Sequence, residues 1–146
     1  MSGKKKSILV INGPNMNLLG IRQPEIYGNS DYVDLENMIT AEAETLGVAV
    51  SFFQSNHEGD LVDAIQQAYF DKADGILINP GAYTHTSIAL LDAVKSVGIP
   101  TVEVHISDPD TREEFRRVSY IRQACIATIK GRGPEGYLEA LRLLAK

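Results

Sequence analysis

Five short apolar runs alternate with amphipathic helical patterns along this chain, and that alternation limits its fold more than any other feature. Ser7–Ile11 is brief and β-branched and reads as a buried strand. Asp34 to Leu46 reads as a helix, because Leu35, Met38, Ile39, Ala43 and Leu46 recur at near-helical spacing and Gly47 stops the run. Further strands are predicted at Val48–Phe53, Gly75–Ile78, Thr101–Val104 and Ala124–Ile129. Further helices are predicted from Gly59-Asp60 through Phe70, from Thr84 to Val97, where Gly98 and Pro100 close it, and from Pro134 to Ala145. Residues 112–117 suggest a short charged helix.

Strand followed by helix, five times over, indicates a parallel sheet covered on both faces. The expectation is an α/β three-layer fold with a five-stranded parallel sheet in the flavodoxin-like order 2-1-3-4-5. That order places a switch point between strands 1 and 3, and ligands bind beyond the carboxyl ends of strands there. At 146 residues the chain reads as one domain over 1–146, with Lys4 to Lys6 in a solvated tail over 1–6. A net charge of −5 argues against nucleic-acid or anionic-membrane partners. Only a five-residue run, Ser7–Ile11, follows the lysines, short of a secretory signal, and no stretch approaches membrane-spanning length. Cys125 is the single cysteine and sits in an apolar run, so it reads as a small buried residue in a reducing, cytoplasmic setting.

The polar residues collect where the switch-point rule asks for them. Asn12-Gly13-Pro14-Asn15 follows strand 1, Asn79-Pro80-Gly81-Ala82-Tyr83-Thr84-His85 follows strand 3, and Glu103-Val104-His105-Ile106-Ser107 ends strand 4. Two of the three histidines fall in these segments. Strand 1 then joins its helix through about twenty residues, where such loops usually run two to six. Within that loop Gly20 to Asp31 carries Arg22 and Tyr27 and reads either as a lid over a site or as a surface loop with a packed tyrosine and a solvated arginine.

The chemistry of these residues is coherent. A tyrosine is a poor base at neutral pH, and a guanidinium close by favours its phenolate. Such a phenolate can take a proton from carbon next to a carbonyl, and the enolate then needs a donor such as an Asn amide or a water it holds. Glu103 and His105 are two apart on a strand and share a face, so the carboxylate can orient the imidazole as a general acid; the alternative is a polar strand end. His85 reads either as a site residue or as a helix N-terminal residue beside the caps Thr84 and Thr86. No metal-ligand spacing is recognisable, so no metal is expected. Arg112, Arg116 and Arg117 with Glu113 and Glu114 read as an exposed salt-bridged turn, although Arg112 and Arg116 share a face that can meet an anionic ligand.

Six spaced motifs carry a resemblance: Asn12-Gly-Pro-Asn15, Arg22-x-Pro-x-x-Tyr27-Gly28, Gln54-Ser55-Asn56-His57-Glu58-Gly59, Asn79-Pro-Gly-x-x-Thr-His85-Thr-Ser87, Glu103-Val-His105-Ile-Ser107 and Arg112-Glu-Glu-Phe-Arg116. With them the chain resembles the type II 3-dehydroquinate dehydratases of the shikimate pathway, over nearly its whole length. The resemblance implies anti elimination of water from 3-dehydroquinate to 3-dehydroshikimate through an enolate, with no cofactor, in a homo-oligomer of twelve subunits (a tetramer of trimers). It implies that Tyr27 accepts the proton, Arg22 activates it, Asn15 places a water at the enolate oxygen, and His105, backed by Glu103, protonates the leaving hydroxyl. It implies that Asn79, His85 and Arg116 bind substrate hydroxyls, the amides of Ile106 and Ser107 bind the carboxylate, Arg112 meets the closed lid, and Asp92 reaches a neighbouring subunit's site. The sequence departs from the family's pattern at Met16, Ile21, Gln23, Asp108-Pro109-Asp110 and Val118.

Two rivals have less in their favour. A flavodoxin-like nucleotide or flavin-binding module needs a Ser/Thr/Gly-rich phosphate loop after strand 1, and Asn12-Gly-Pro-Asn15 offers one glycine and a rigid proline. A receiver-type signalling domain needs an acidic cluster at the ends of strands 1 and 3, where asparagine stands.

Overall fold

A computed structural model describes residues 4–21, 25 and 30–146. Arg22 and Tyr27, with Gln23, lie outside the described residues. The sheet holds β1 (Ser7–Asn12), β2 (Ala49–Gln54), β3 (Gly75–Asn79), β4 (Thr101–His105) and β5 (Ala127–Lys130), in the order β2-β1-β3-β4-β5. All four pairings are parallel. The flavodoxin-like order expected from the alternation is therefore the order observed.

Every residue of β3 and β4 is buried, which is why those runs are apolar without alternation. The helices α1 (Tyr32–Leu46) and α4 (Glu135–Ala145) pack together on one face, burying Leu35, Ile39 and Ala43 against Tyr137, Leu141 and Leu144. On the other face α2 (Glu58–Phe70) packs on α3 (Ile88–Val97), and Leu61, Ile65 and Ala68 meet Leu90, Ala93 and Val94. Each amphipathic stripe thus finds the core that its spacing demands. Asp31 and Asp34 form a reciprocal capping box that starts α1, and Gly47 ends it in the left-handed conformation at φ 72°.

Most boundaries shift by one or two residues, and three elements depart further or in kind from the sequence expectation. The helix predicted from Thr84 is divided into a 3-10 turn, Gly81–His85, and α3, which starts only at Ile88. Ser87, rather than Thr84 or Thr86, is the cap, its Oγ accepting the N–H of Leu90 at 2.9 Å. The N–H groups of Thr86 and Ser87 both converge on the carbonyl of Tyr83, which closes the turn and separates it from the helix. The strand predicted at Ala124–Ile129 begins at Ala127, because Ile121–Ala124 turns as a 3-10 segment whose Ile121 fills the core. Cys125 lies between the two, half-buried, with its Sγ donating to the carbonyl of Ile121. Burial pushes its thiol up to about 12, so it is inert at neutral pH. The charged run at 112–117 holds only the 3-10 turn Glu114–Arg116.

Candidate active site

The last residues of the three strands at the switch point, Gln54, Asn12 and Asn79, are register neighbours across the sheet. Asn12 and Asn79 are buried and cannot be left without partners. The Tyr137 hydroxyl from α4 supplies them: it donates to Asn12 Oδ1 at 2.6 Å and accepts from Asn79 Nδ2 at 2.9 Å. Asn12 Nδ2 donates to the Tyr32 hydroxyl at 3.3 Å, and Asn79 Oδ1 accepts the Gly81 N–H at 3.1 Å. This chain of bonds fixes both strand ends and the loops that leave them. The loops also touch: a Cβ on Gly13 would stand 2.4 Å from the carbonyl oxygen of Pro80, so glycine is required there.

Asn15 follows in the left-handed conformation, φ 71°, which asparagine tolerates better than most residues. Its N–H donates to Asn56 Oδ1 at 3.0 Å, and Gln54 Nε2 braces the same loop at the carbonyl of Gly13. The result is a cleft of about 150 Å³ walled by three strand-end segments. Asn15 and Met16 line it after β1, Asn79 and His85 after β3, and His105, Ile106, Ser107, Arg112 and Arg116 after β4.

Glu103 lies behind His105, fully buried, and accepts from four side chains. His105 Nε2 approaches its Oε2 at 2.5 Å and the Ser119 hydroxyl does so at 2.9 Å. Thr128 Oγ1 reaches Oε1 at 3.1 Å, and Arg122 spans both oxygens at 3.2 and 3.4 Å. Burial would push this carboxyl up; the bonds and charges of His105 and Arg122 more than reverse that and hold it at about 2. Glu103 is thus an anion at any physiological pH.

His85 has the opposite character. Burial lowers its proton affinity, and the nearby His105 and Arg116 add to this against the carbonyl of Val118 and the Glu103 charge. It is neutral at pH 7, its Nδ1 bonded to the Val118 carbonyl at 2.7 Å, which leaves Nε2 as an acceptor. The carbonyls of Ile106 and Ser107 are tied by the N–H groups of Gly133 and Gly131, both at 3.0 Å, and this fixes the intervening peptide plane. Arg112 donates to Ser107 Oγ at 3.4 Å, and Arg116 Nε pairs with Glu113.

Of the residues singled out in the sequence, the cleft gathers Asn15, Asn79, His85, His105, Ile106, Ser107, Arg112 and Arg116, with Glu103 directly behind. Asp92 is on the exposed side of α3 and does not line this cleft. The sequence reading missed the residues that brace the site. Tyr137 reads as one more apolar position in an amphipathic helix, and Asn56 sits in a quoted motif without a role. Arg122 did leave a trace, being the one charged residue between Arg117 and Lys130.

A flavodoxin-like sheet with a buried carboxylate–imidazole pair and convergent Asn, His and Arg groups at its switch point defines an α/β enzyme of acid–base chemistry. The family model for dehydroquinase class II matches residues 6–145, and the chain belongs to that family. It is 56% identical over 139 residues to the 3-dehydroquinate dehydratase of Caldicellulosiruptor bescii, covering 95% of this chain and 96% of that one. The crystal structure of type II dehydroquinase from Butyrivibrio crossotus superposes with a TM-score of 0.97 at 50% identity, covering 99% of this chain and 100% of that one. That of the Propionibacterium acnes enzyme gives 0.93 at 40% identity, with 99% of both chains covered.

Proposed function

We propose that this chain is a type II 3-dehydroquinate dehydratase, a hydro-lyase that removes water from 3-dehydroquinate by anti elimination to give 3-dehydroshikimate. The step belongs to the shikimate pathway, which supplies chorismate and the aromatic amino acids. Tyr27 takes the proton next to the carbonyl, with Arg22 favouring its phenolate. Asn15 holds a water at the oxygen of the enolate that forms. His105 then protonates the leaving hydroxyl. With Nε2 committed to Glu103, its Nδ1 serves that hydroxyl, and the permanent charge of Glu103 keeps the imidazole oriented.

The remaining groups position the substrate. His85 Nε2 accepts from one substrate hydroxyl, while the second lone pair of Asn79 Oδ1 and the Arg116 guanidinium take others. The amides of Ile106 and Ser107 meet the carboxylate, and Arg112 meets the loop of Arg22 and Tyr27 once it closes. Asp92 completes the site of a neighbouring subunit in a dodecamer built as a tetramer of trimers. Residues 1–146 form a single dehydroquinase domain with a tail over 1–6, and it works in the cytoplasm without metal or organic cofactor. No helix among the described residues is long and apolar enough to cross a membrane.

The observation that carries this reading is the 2.5 Å contact of His105 with the buried Glu103 in the wall of a cleft that also gathers Asn15, Asn79 and His85. The test is direct. Purified protein given 3-dehydroquinate without added metal should produce an ultraviolet-absorbing enone, and the Asn15→Ala and His105→Asn variants should do so far more slowly. Elution near monomer mass on size exclusion would contradict the dodecamer.

A further inference from the structure

We propose that Arg122 is a positioning residue for the reaction: it shares Glu103 with His105 and so limits how tightly the imidazole holds its proton. The geometry is a fork on a buried anion. Arg122 Nε meets Glu103 Oε1 at 3.2 Å and its terminal nitrogen meets Oε2 at 3.4 Å, the oxygen that His105 also uses. Glu103 is wholly buried, while Arg122 is 35% exposed, so the competition takes place on a desolvated anion and solvent screens it only in part. A guanidinium does not titrate in a protein, and Arg122 therefore offsets the Glu103 charge at every pH. An imidazolium paired with an unshared buried carboxylate would be a reluctant acid. Sharing the carboxylate makes His105 a readier donor while leaving it held in place.

The other charges around the pair are committed elsewhere. His85 faces His105 from the Gly81–His85 turn and is neutral at pH 7. Arg112 and Arg116 come from the segment after β4, bonded to Ser107 and Glu113. Lys130 is the register neighbour of His105 on β5, but its ammonium pairs with Asp110 and lies 3.8 Å from Asp108. Cys125, beside Glu103 on the Arg122 side, stays a neutral thiol. Among the described residues, Arg122 and His105 are the only cationic side chains bonded to the Glu103 carboxylate. Arg122 does not line the cleft, so its effect on substrate passes through Glu103 and His105.

The test follows the His105 imidazole by NMR through a pH titration, in the wild type, R122Q and R122K, with the signal assigned by comparison with H105N. In R122Q, His105 should keep its proton to a pH about one unit higher than in the wild type, the usual size of one neighbouring charge. R122K keeps the charge without the fork and should titrate near the wild type. R122M, also neutral and of similar length, replaces R122Q if that variant does not fold. An unchanged midpoint in the folded neutral variant overturns the inference. The kinetic arm rests on the proposed dehydratase reading: R122Q should lose about tenfold in kcat at constant KM, largely restored in R122K. A rise in KM with kcat unchanged would overturn it as well. If the wild type does not turn over dehydroquinate, the functional reading fails by itself, and the NMR titration still decides the role of Arg122.

Discussion

His105 Nε2 lies 2.5 Å from Glu103 Oε2, and the two residues are the third and the last of a single buried strand. The period of two in an extended chain puts them on one face, and Ser119, Arg122 and Thr128, from the segment leading into β5 and from β5 itself, supply the other donors to the carboxylate. This arrangement keeps a charge inside the protein at a point where an imidazole has to be held.

That charge makes the protein sensitive to acid in a defined window. Glu103 falls from an ordinary value of 4.5 to about 2 on folding. A depressed carboxyl contributes stability that is complete above its unfolded value and is lost as pH falls toward its folded one. Urea unfolding should therefore show stability declining as pH drops from about 4.5 to about 2, by on the order of 3 kcal/mol from this group. The Glu103→Gln variant should lack that part of the decline.

Removing the proposed acid should affect turnover. His105→Asn keeps a polar side chain but cannot donate a proton in the same way. It should lower kcat by roughly 10²- to 10⁴-fold, as loss of a general acid does, with a smaller change in KM, measured by steady-state kinetics.

Tyr137→Phe tests the bracing of the strand ends. The hydroxyl serves Asn12 and Asn79 together, and both are buried. Its removal should cost about 1–3 kcal/mol in urea unfolding, because two polar groups lose a partner in a dry environment. KM should rise if the loosened Asn79 is a substrate ligand.

Asn15 combines an unusual backbone with a catalytic assignment, and two substitutions separate them. Asn15→Gly accepts φ 71° freely and should be as stable as the wild type. Asn15→Ala should cost about 1 kcal/mol, since a Cβ opposes the left-handed conformation. Both should lose most activity if the side-chain amide holds the water at the enolate.

The sheet and its order were legible because buried parallel strands are written as apolar runs and the helices as stripes at 3.6-residue spacing. The gathering of polar residues at one cleft was legible because Asn, His and Glu fall at the strand ends that face the switch point. The Gly81–His85 turn escaped notice, since Thr84, Ile88 and Leu91 continue a plausible helical stripe and only the shared Tyr83 carbonyl reveals the break. Ala124 and Ile126 are apolar but precede β5, because Ile121 in the preceding turn already fills the core. Tyr137 and Arg122 act across 125 and 19 residues of chain, on Asn12 and Glu103 respectively, and no local pattern encodes such pairings.

Proton abstraction by Tyr27, with acid help from His105, is the central step of the proposed reaction. The decisive measurement is enone absorbance during incubation of 3-dehydroquinate with the purified wild type, Tyr27→Phe and Arg22→Ala, without added metal. Rapid enone formation by the wild type, with at least about 10²-fold loss in both variants, is the result expected. No enone from the folded wild type, or full activity in Tyr27→Phe, would contradict it.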